Sequence, residues 1–417
     1  MSTTTPTAAQ LPPYSHELDW PEGLEPYRII DHTGTQGEPY AHYAWMRKNA
    51  PVLRVQHTDG DVWMVARHED VRWALRKPKI FRSQINDPQE LAFLTLMDAP
   101  DHTRLRKVVA AAFTPKTIGL VEQRVREVAS AKLDAMIAAG GGEVLEGYAR
   151  PLTMATISSI LDVPIDDLEH VSFLSEKMFV FFARLARSAP GTPDDERYTR
   201  EFFAYLHQNL LRLYEAKSES VGGSIARSWL DDGLISEKEA IELCGFVFVS
   251  GFETTMRLMG GGFRELTYNP SLLGRLRDNP ADAERFVEEL VRMRGPVHRA
   301  VRRTAEDVGI RGVTIPAGSI VRLLIASANR DENVWPRADE FDIDREADGH
   351  FGFGHGIHSC LGAPLARLET RVTAELLGEK VASVSFDHDR DLVFLKGNSM
   401  TTGPESLRVD LVPVSGK

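Results

Sequence analysis

Residues 350–369 read HFGFGHGIHSCLGAPLARLE. Gly352, Gly354 and Gly356 let the chain turn sharply and lie flat against a large neighbour. Cys360 follows, and a helix starts after it with Pro364 in the first turn, where a missing N–H is harmless. Free N–H groups at a helix start favour a thiolate and are expected to lower the Cys360 pKa. That setting suits a permanent anionic metal ligand. It also suits a reactive nucleophile, although His358, two residues away, is poorly placed as the base of a Cys–His pair. A small inert core residue is the third reading, and the ordinary one for a lone cysteine.

The rest of the chain narrows these choices. Its 42% hydrophobic and 26% charged residues are those of an ordinary globular protein. A formal net charge of −11 argues against a nucleic-acid partner, which needs a basic stripe. No run of roughly 18 apolar residues suggests a membrane span. Two cysteines exclude a disulfide framework and any Cys-x-x-Cys site, and fit a reducing cytoplasm. If sulfur binds a metal here, one thiolate must do it. The opening MSTTTPTAAQLPPYS lacks the basic start and apolar core of a secretory signal. Residues 1–20 are expected to be a disordered lead-in and 21–417 a single large domain.

Pro39 opens a short helical pattern, Tyr43–Lys48, and strand-like runs Val52–Gln56 and Val62–Ala66 flank a turn. Helical periodicity dominates from about 100 to 290, with breaks expected at Gly140–Gly142, Ala189–Asp194 and Gly222–Gly223. Strands return at Ile320–Ile325 and Leu392–Leu395. The class is mainly α with small β-sheets, an α+β arrangement. One helix stands out. Ser236 and Glu239 form a capping box, and from Ile241 to Phe252 apolar residues face every direction, so this helix should run through the centre. Ser250, Glu253, Thr254 and Thr255 share its buried stretch, where polar groups cost stability unless paired or used. Cys244, on the same helix, reads as a core residue.

Phe353-Gly354-x-Gly356-x-His358-x-Cys360-x-Gly362 resembles, at every fixed position and spacing, the haem-binding signature of the P-450 cytochromes. The resemblance covers the chain from about residue 20 onward and implies the P-450 fold. It implies haem b (iron protoporphyrin IX), its iron held by the Cys360 thiolate with Phe353 and Gly354 beside the sulfur. Thiolate ligation favours O–O cleavage. Glu289 and Arg292 resemble the family's structural ion pair, completed by Arg345. His102 and Arg106, at i, i+4 on a helix opened by Pro100, match propionate ligands. Arg302 matches a third, with Arg303 as its rival, and His358 is a fourth. Ser250-Gly-Phe-Glu-Thr-Thr255 resembles the oxygen-activation motif, with Ser250 where Ala or Gly is usual. Thr254 and Glu253 are then the catalytic pair, Thr254 toward dioxygen and Glu253 toward the proton supply. A competing role for Glu253 is helix support through Arg257 at i, i+4.

The implied reaction is insertion of one oxygen atom from O2 into a small-to-medium apolar organic substrate, by hydroxylation or oxidative dealkylation. The chain ends at Lys417 with no flavin- or iron–sulfur-like segment, so electrons are expected from a separate ferredoxin and ferredoxin reductase. Arg72, Lys107 and Arg367 map to the sulfur-side face, where cations would steer an acidic ferredoxin. Substrate-facing positions are the Phe81–Leu96 loop, Met178–Phe182 with Met178 and Phe182 at its ends, and Phe246, Val249, Ser250, His298 and Met400. A non-enzymatic haem-thiolate sensor and a peroxide-driven peroxygenase are the alternatives. The intact Glu253–Thr254 pair speaks against both.

Overall fold

The computed structural model describes residues 11–28, 38–57, 60–85, 93–185, 191–386, 392–394 and 401–414, the side chains of 112, 115, 116, 120, 179, 180 and 182–185 excepted. Helices α1 (Tyr40–Asn49) and α2 (His68–Leu75) flank the β1 (Val52–His57)–β2 (Gly60–Val65) hairpin, and β3 is Phe81–Arg82. Then come α3 (Asp101–Ala112), α4 (Pro115–Ala138), β4 (Gly141–Glu143) and α5 (Arg150–Leu161). Helices α6 (Leu168–Leu185), α7 (Pro193–Glu215) and α8 (Val221–Leu230) lead to α9 (Glu237–Tyr268). Next are α10 (Ser271–Asp278), α11 (Asp282–Arg294), β5 (Ala300–Thr304), β6 (Val308–Ile310), β7 (Val313–Ile315) and β8 (Ile320–Leu323). Short α12 (Ile325–Ala328), α13 (Ala363–Lys380), β9 (Val381–Ser385), β10 (Leu392–Phe394) and β11 (Pro404–Pro413) complete the chain.

Helix α9 is the axis of this single domain, packed by α5, α6, α7, α8, α11 and α13. Its start is the expected capping box: Ser236 Oγ accepts from Glu239 N at 3.2 Å, and Glu239 Oε2 accepts from Ser236 N at 2.8 Å. One sheet has the order β1-β2-β8-β5-β3; β11 joins β10, β4 and β9 in a second, and β6–β7 is a hairpin.

Three expectations need correcting. Gly222 and Gly223 lie inside α8, not at a break. Ser220 caps the helix, and a side chain on Gly222 would come within 2.8 Å of the Leu161 carbonyl, so the glycine serves close packing. Ile325 belongs to α12, because strand β8 ends at Leu323. Of the expected disordered lead-in, residues 1–10 lie outside the described residues, and residues 11–20 pack against the domain. Tyr14 bridges to Arg54, whose guanidinium lies 3.7 Å from its ring centroid, and Trp20 stacks on Trp45 at 4.0 Å. Burial of these aromatics holds the segment down.

Candidate active site

The glycine loop is built by its own backbone. Gly354 N donates to Phe351 O and Cys360 N to Phe353 O, each at 2.8 Å, while Phe351 N donates to Asn329 Oδ1 at 2.7 Å. Gly354 and Gly356 both sit at φ +71°, in the left-handed region that favours glycine. Helix α13 begins at Ala363 with Pro364 in its first turn. Cys360 is exposed at the wall of a cavity yet enclosed on its other sides. That enclosure raises its thiol pKa, outweighing the Gly362 and Ala363 N–H groups and the Arg106 and Arg367 charges. The expected lowering is therefore corrected: burial beats the helix start. A thiol in such a place becomes a stable thiolate when a cation binds it.

Around the cysteine stands a cluster of arginines and histidines. His102 and Arg106 project from one face of α3, and Arg106 Nη2 donates to Ser359 O at 2.5 Å. The His102 and His358 rings lie 4.2 Å apart, and Ser83 Oγ bonds His358 Nε2 at 2.9 Å. Strand alternation in β5 buries Arg302 toward this cluster and turns Arg303 to the Ile85 carbonyl. Burial, reinforced by Arg302, His102 and Arg106, pushes His358 down to about 3. Burial likewise lowers Arg302 to about 10, only partly countered by Asp98. Both ring nitrogens of His102 are buried without a partner. Unpartnered buried donors and unbalanced cations are costly unless an anion completes them. A group with two carboxylates and a thiolate-ligated metal fits these residues.

On α9, between residues 242 and 266, only Phe246, Ser250, Gly251 and Thr254 are not buried. Phe246, Ser250 and Thr254 are spaced i, i+4, i+8, so one stripe of an otherwise buried helix faces open space. Thr254 Oγ1 donates to Ser250 O at 3.2 Å. A side chain on Gly251 would meet Ile157 Cδ1 at 2.6 Å, so this glycine lets α9 approach α5. Glu253 is buried and accepts from Arg257 Nε at 2.6 Å, which is the helix-support arrangement. Phe246 meets Phe93 at 5.4 Å between centroids, and Val249 is buried beside it on the helix.

Other expected positions lie apart. His298 is buried between Tyr40 and Tyr43, at 5.6 and 6.1 Å, in a polar crevice with Glu38, Arg294 and Thr402. The tyrosines of α1 hold its ring there. Met178 is sealed in the core. Met400 and the Phe182 side chain lie outside the described residues. Arg367 is no free cation: its Nε and Nη2 bind Glu288 at 2.5 and 3.0 Å. Arg72 and Lys107 are exposed, with no ion pair among the described residues. Glu289 and Arg292 are fully buried in a bidentate pair at 2.7 Å, joined by Arg345 Nε at 3.3 Å.

Sequence reading missed Ser83, Asn329 and Glu288. No local pattern marks the first two. Glu288 adjoins the Glu289–Arg292 motif, but its partner Arg367 is 79 residues away.

The family model described as Cytochrome P450 matches residues 283–377. The chain is 34% identical to the vitamin D(3) 25-hydroxylase of Pseudonocardia autotrophica, over 92% of this chain and 98% of that protein. It is 33% identical to the cytochrome P450 monooxygenase PikC of Streptomyces venezuelae, over 89% and 91% respectively. The structure of cytochrome P450 CYP109Q5 from Chondromyces apiculatus superposes with a TM-score of 0.81 at 28% identity, covering 93% of this chain and 97% of that one.

Proposed function

The chain belongs to the cytochrome P450 family of haem-binding oxidoreductases, and on that premise we propose that it hydroxylates or oxidatively dealkylates an apolar organic substrate with electrons from a separate ferredoxin and reductase. Haem, when bound, supplies the dioxygen and one-electron chemistry that no side chain here possesses. Cys360 would hold its iron, and His102, Arg106, Arg302 and His358 would take its propionates. Thr254 Oγ1 holds a proton on the exposed stripe, anchored by Ser250 O. Glu253 reaches that proton only by exchanging Arg257 for water. Phe246 supplies an apolar wall.

The observation that carries this reading is the hydroxyl of Thr254 on the unburied stripe, one residue from a buried carboxylate. A gas sensor needs no proton delivery, and a peroxide-driven enzyme needs less. The relative named for vitamin D(3) hydroxylation makes vitamin D(3) one ligand to include in a panel.

The test uses purified haem-loaded protein. Its reduced carbon monoxide complex should show the red-shifted Soret band of thiolate ligation, and Cys360→Ala should lose that band. A Cys360→Ala protein that retained it would falsify the ligand assignment. Apolar ligands should shift the Soret band, and product should form with ferredoxin, reductase and NAD(P)H but not with peroxide alone.

A further inference from the structure

Expected from sequence as a docking cation, Arg367 is instead half of a clamp. One carboxylate, Glu288 on α11, receives both Arg367 Nε and Nη2 from α13. Its Oε2 also meets His350 Nε2 at 3.2 Å. His350 Nδ1 accepts from Gly352 N at 3.1 Å, so the ring proton sits on Nε2 and is donated to Glu288. The Arg367 guanidinium, held this way, lies 4.4 Å from the Phe353 ring centroid. Phe353 O in turn accepts from Cys360 N at 2.8 Å. A cavity of about 410 Å³ runs along this wall, bounded by Glu288, His350, Phe353, Cys360, Pro364 and Arg367. Cys360 thus shares this wall with all three members of the clamp.

Resting on the reading of Cys360 as the haem ligand, we propose that Glu288 is a positioning residue that clamps the sulfur-side loop and cancels the Arg367 charge beside Cys360. Two consequences separate charge from geometry. Arg367 acts electrostatically on Cys360, and an uncompensated cation near the sulfur favours the reduced, more negative haem. Loss of the carboxylate altogether also frees Arg367 and His350, so Phe353 and the loop loosen.

Glu288→Gln keeps an acceptor but removes the charge. Its haem midpoint potential, measured by spectroelectrochemistry, should shift positive while the thiolate carbon monoxide band stays intact. Glu288→Ala should convert severalfold faster to the blue-shifted form lacking thiolate ligation, and Glu288→Asp should behave close to wild type. In haem-free protein, iodoacetamide should alkylate Cys360 severalfold faster in Glu288→Ala than in wild type, read by mass spectrometry. Wild-type potential in Glu288→Gln, with wild-type conversion and alkylation rates in Glu288→Ala, would overturn the proposal. If wild-type protein itself lacks the thiolate band, the ligand reading fails, and the haem-free alkylation rates still decide the clamp. Should Glu288→Ala not fold, the potential of Glu288→Gln decides alone.

Discussion

The sulfur-side loop and the unburied stripe of α9 are made differently. On the sulfur side, the backbone of one loop bonds to itself, Cys360 to Phe353 and Gly354 to Phe351, and half-buried ions pin it from outside. Beneath it, Arg292 spends its remaining donors on the carbonyls of Asn329 and Ala338, at 2.8 Å each. On the α9 side, the stripe of Phe246, Ser250 and Thr254 has side-chain atoms facing open space, with few polar ties. A metal ligand needs fixed geometry, and a substrate wall needs shape that can vary without disturbing the frame. The contrast teaches that a rigidly tied loop and a loosely tied stripe of side chains are built into separate parts of one domain.

The hardest test breaks the sulfur-side frame. Arg292→Met leaves the fully buried Glu289 carboxylate without its bidentate partner. Such losses cost about 3–5 kcal/mol. Denaturant titration should show that loss together with poor haem retention. A cost below about 1 kcal/mol would mean that the frame is less rigid than its hydrogen bonds suggest.

Acid gives the next largest effect. The frame holds His298 neutral: burial, helped by Arg299, lowers it to about 3. In the unfolded chain a histidine titrates near 6.5, so below that pH the unfolded state gains a proton that the folded state refuses. Stability from this group is complete above about pH 6.5 and falls by up to about 1.4 kcal/mol per pH unit until about pH 3. Helix α9 carries no histidine, and its Glu239, held down to about 2 chiefly by Arg104, adds an acid slope only below about pH 4.5. His298→Phe should flatten the loss of stability between pH 6.5 and 5, measured by urea unfolding at each pH. An unchanged slope would place the acid sensitivity elsewhere, with His358 next in line.

Local and distant construction also decide what could be read from residues alone. The turns at Gly354 and Gly356 were legible because they depend on neighbours within ten residues. The Ser236 capping box was legible for the same reason, and so was the Glu289–Arg292 pair. Arg302 could not be separated from Arg303 by spacing, since only the alternation of a strand whose register is set by β8 assigns the faces. The surroundings of His298 could not be read locally, because α1, some 250 residues earlier, supplies the tyrosines that hold it. The cysteine's pKa went the wrong way for a related reason: a helix start is local, whereas burial is set by the whole fold. Arg367 read as free because Glu288 lies on another helix.

Thr254→Ala sharpens the comparison from the α9 side. The side chain is only partly buried and makes one weak bond at 3.2 Å, so stability should change by less than about 1 kcal/mol. Haem binding and ligand-induced Soret shifts should persist. Product per NAD(P)H consumed should fall severalfold, with peroxide released in its place. Unchanged coupling would assign proton delivery to another group.

The smallest effect belongs to the surface. With Arg367 clamped, Arg72 and Lys107 remain of the three cations expected to steer a partner, both exposed and without ion pairs among the described residues. Lys107 lies one residue past Arg106 on α3, so it points outward while its neighbour faces the cluster. A single exposed charge contributes weakly and is screened beyond about 8 Å at physiological salt. Lys107→Glu should therefore slow reduction by an acidic ferredoxin about two- to fivefold at low ionic strength, chiefly through weaker docking. The difference should vanish at high salt, where steering is lost, while haem content and Soret shifts stay at wild-type values. Equal rates in stopped-flow reduction at low salt would mean that the partner approaches over a different face, and Arg72→Glu, from α2, would then be expected to show no effect either.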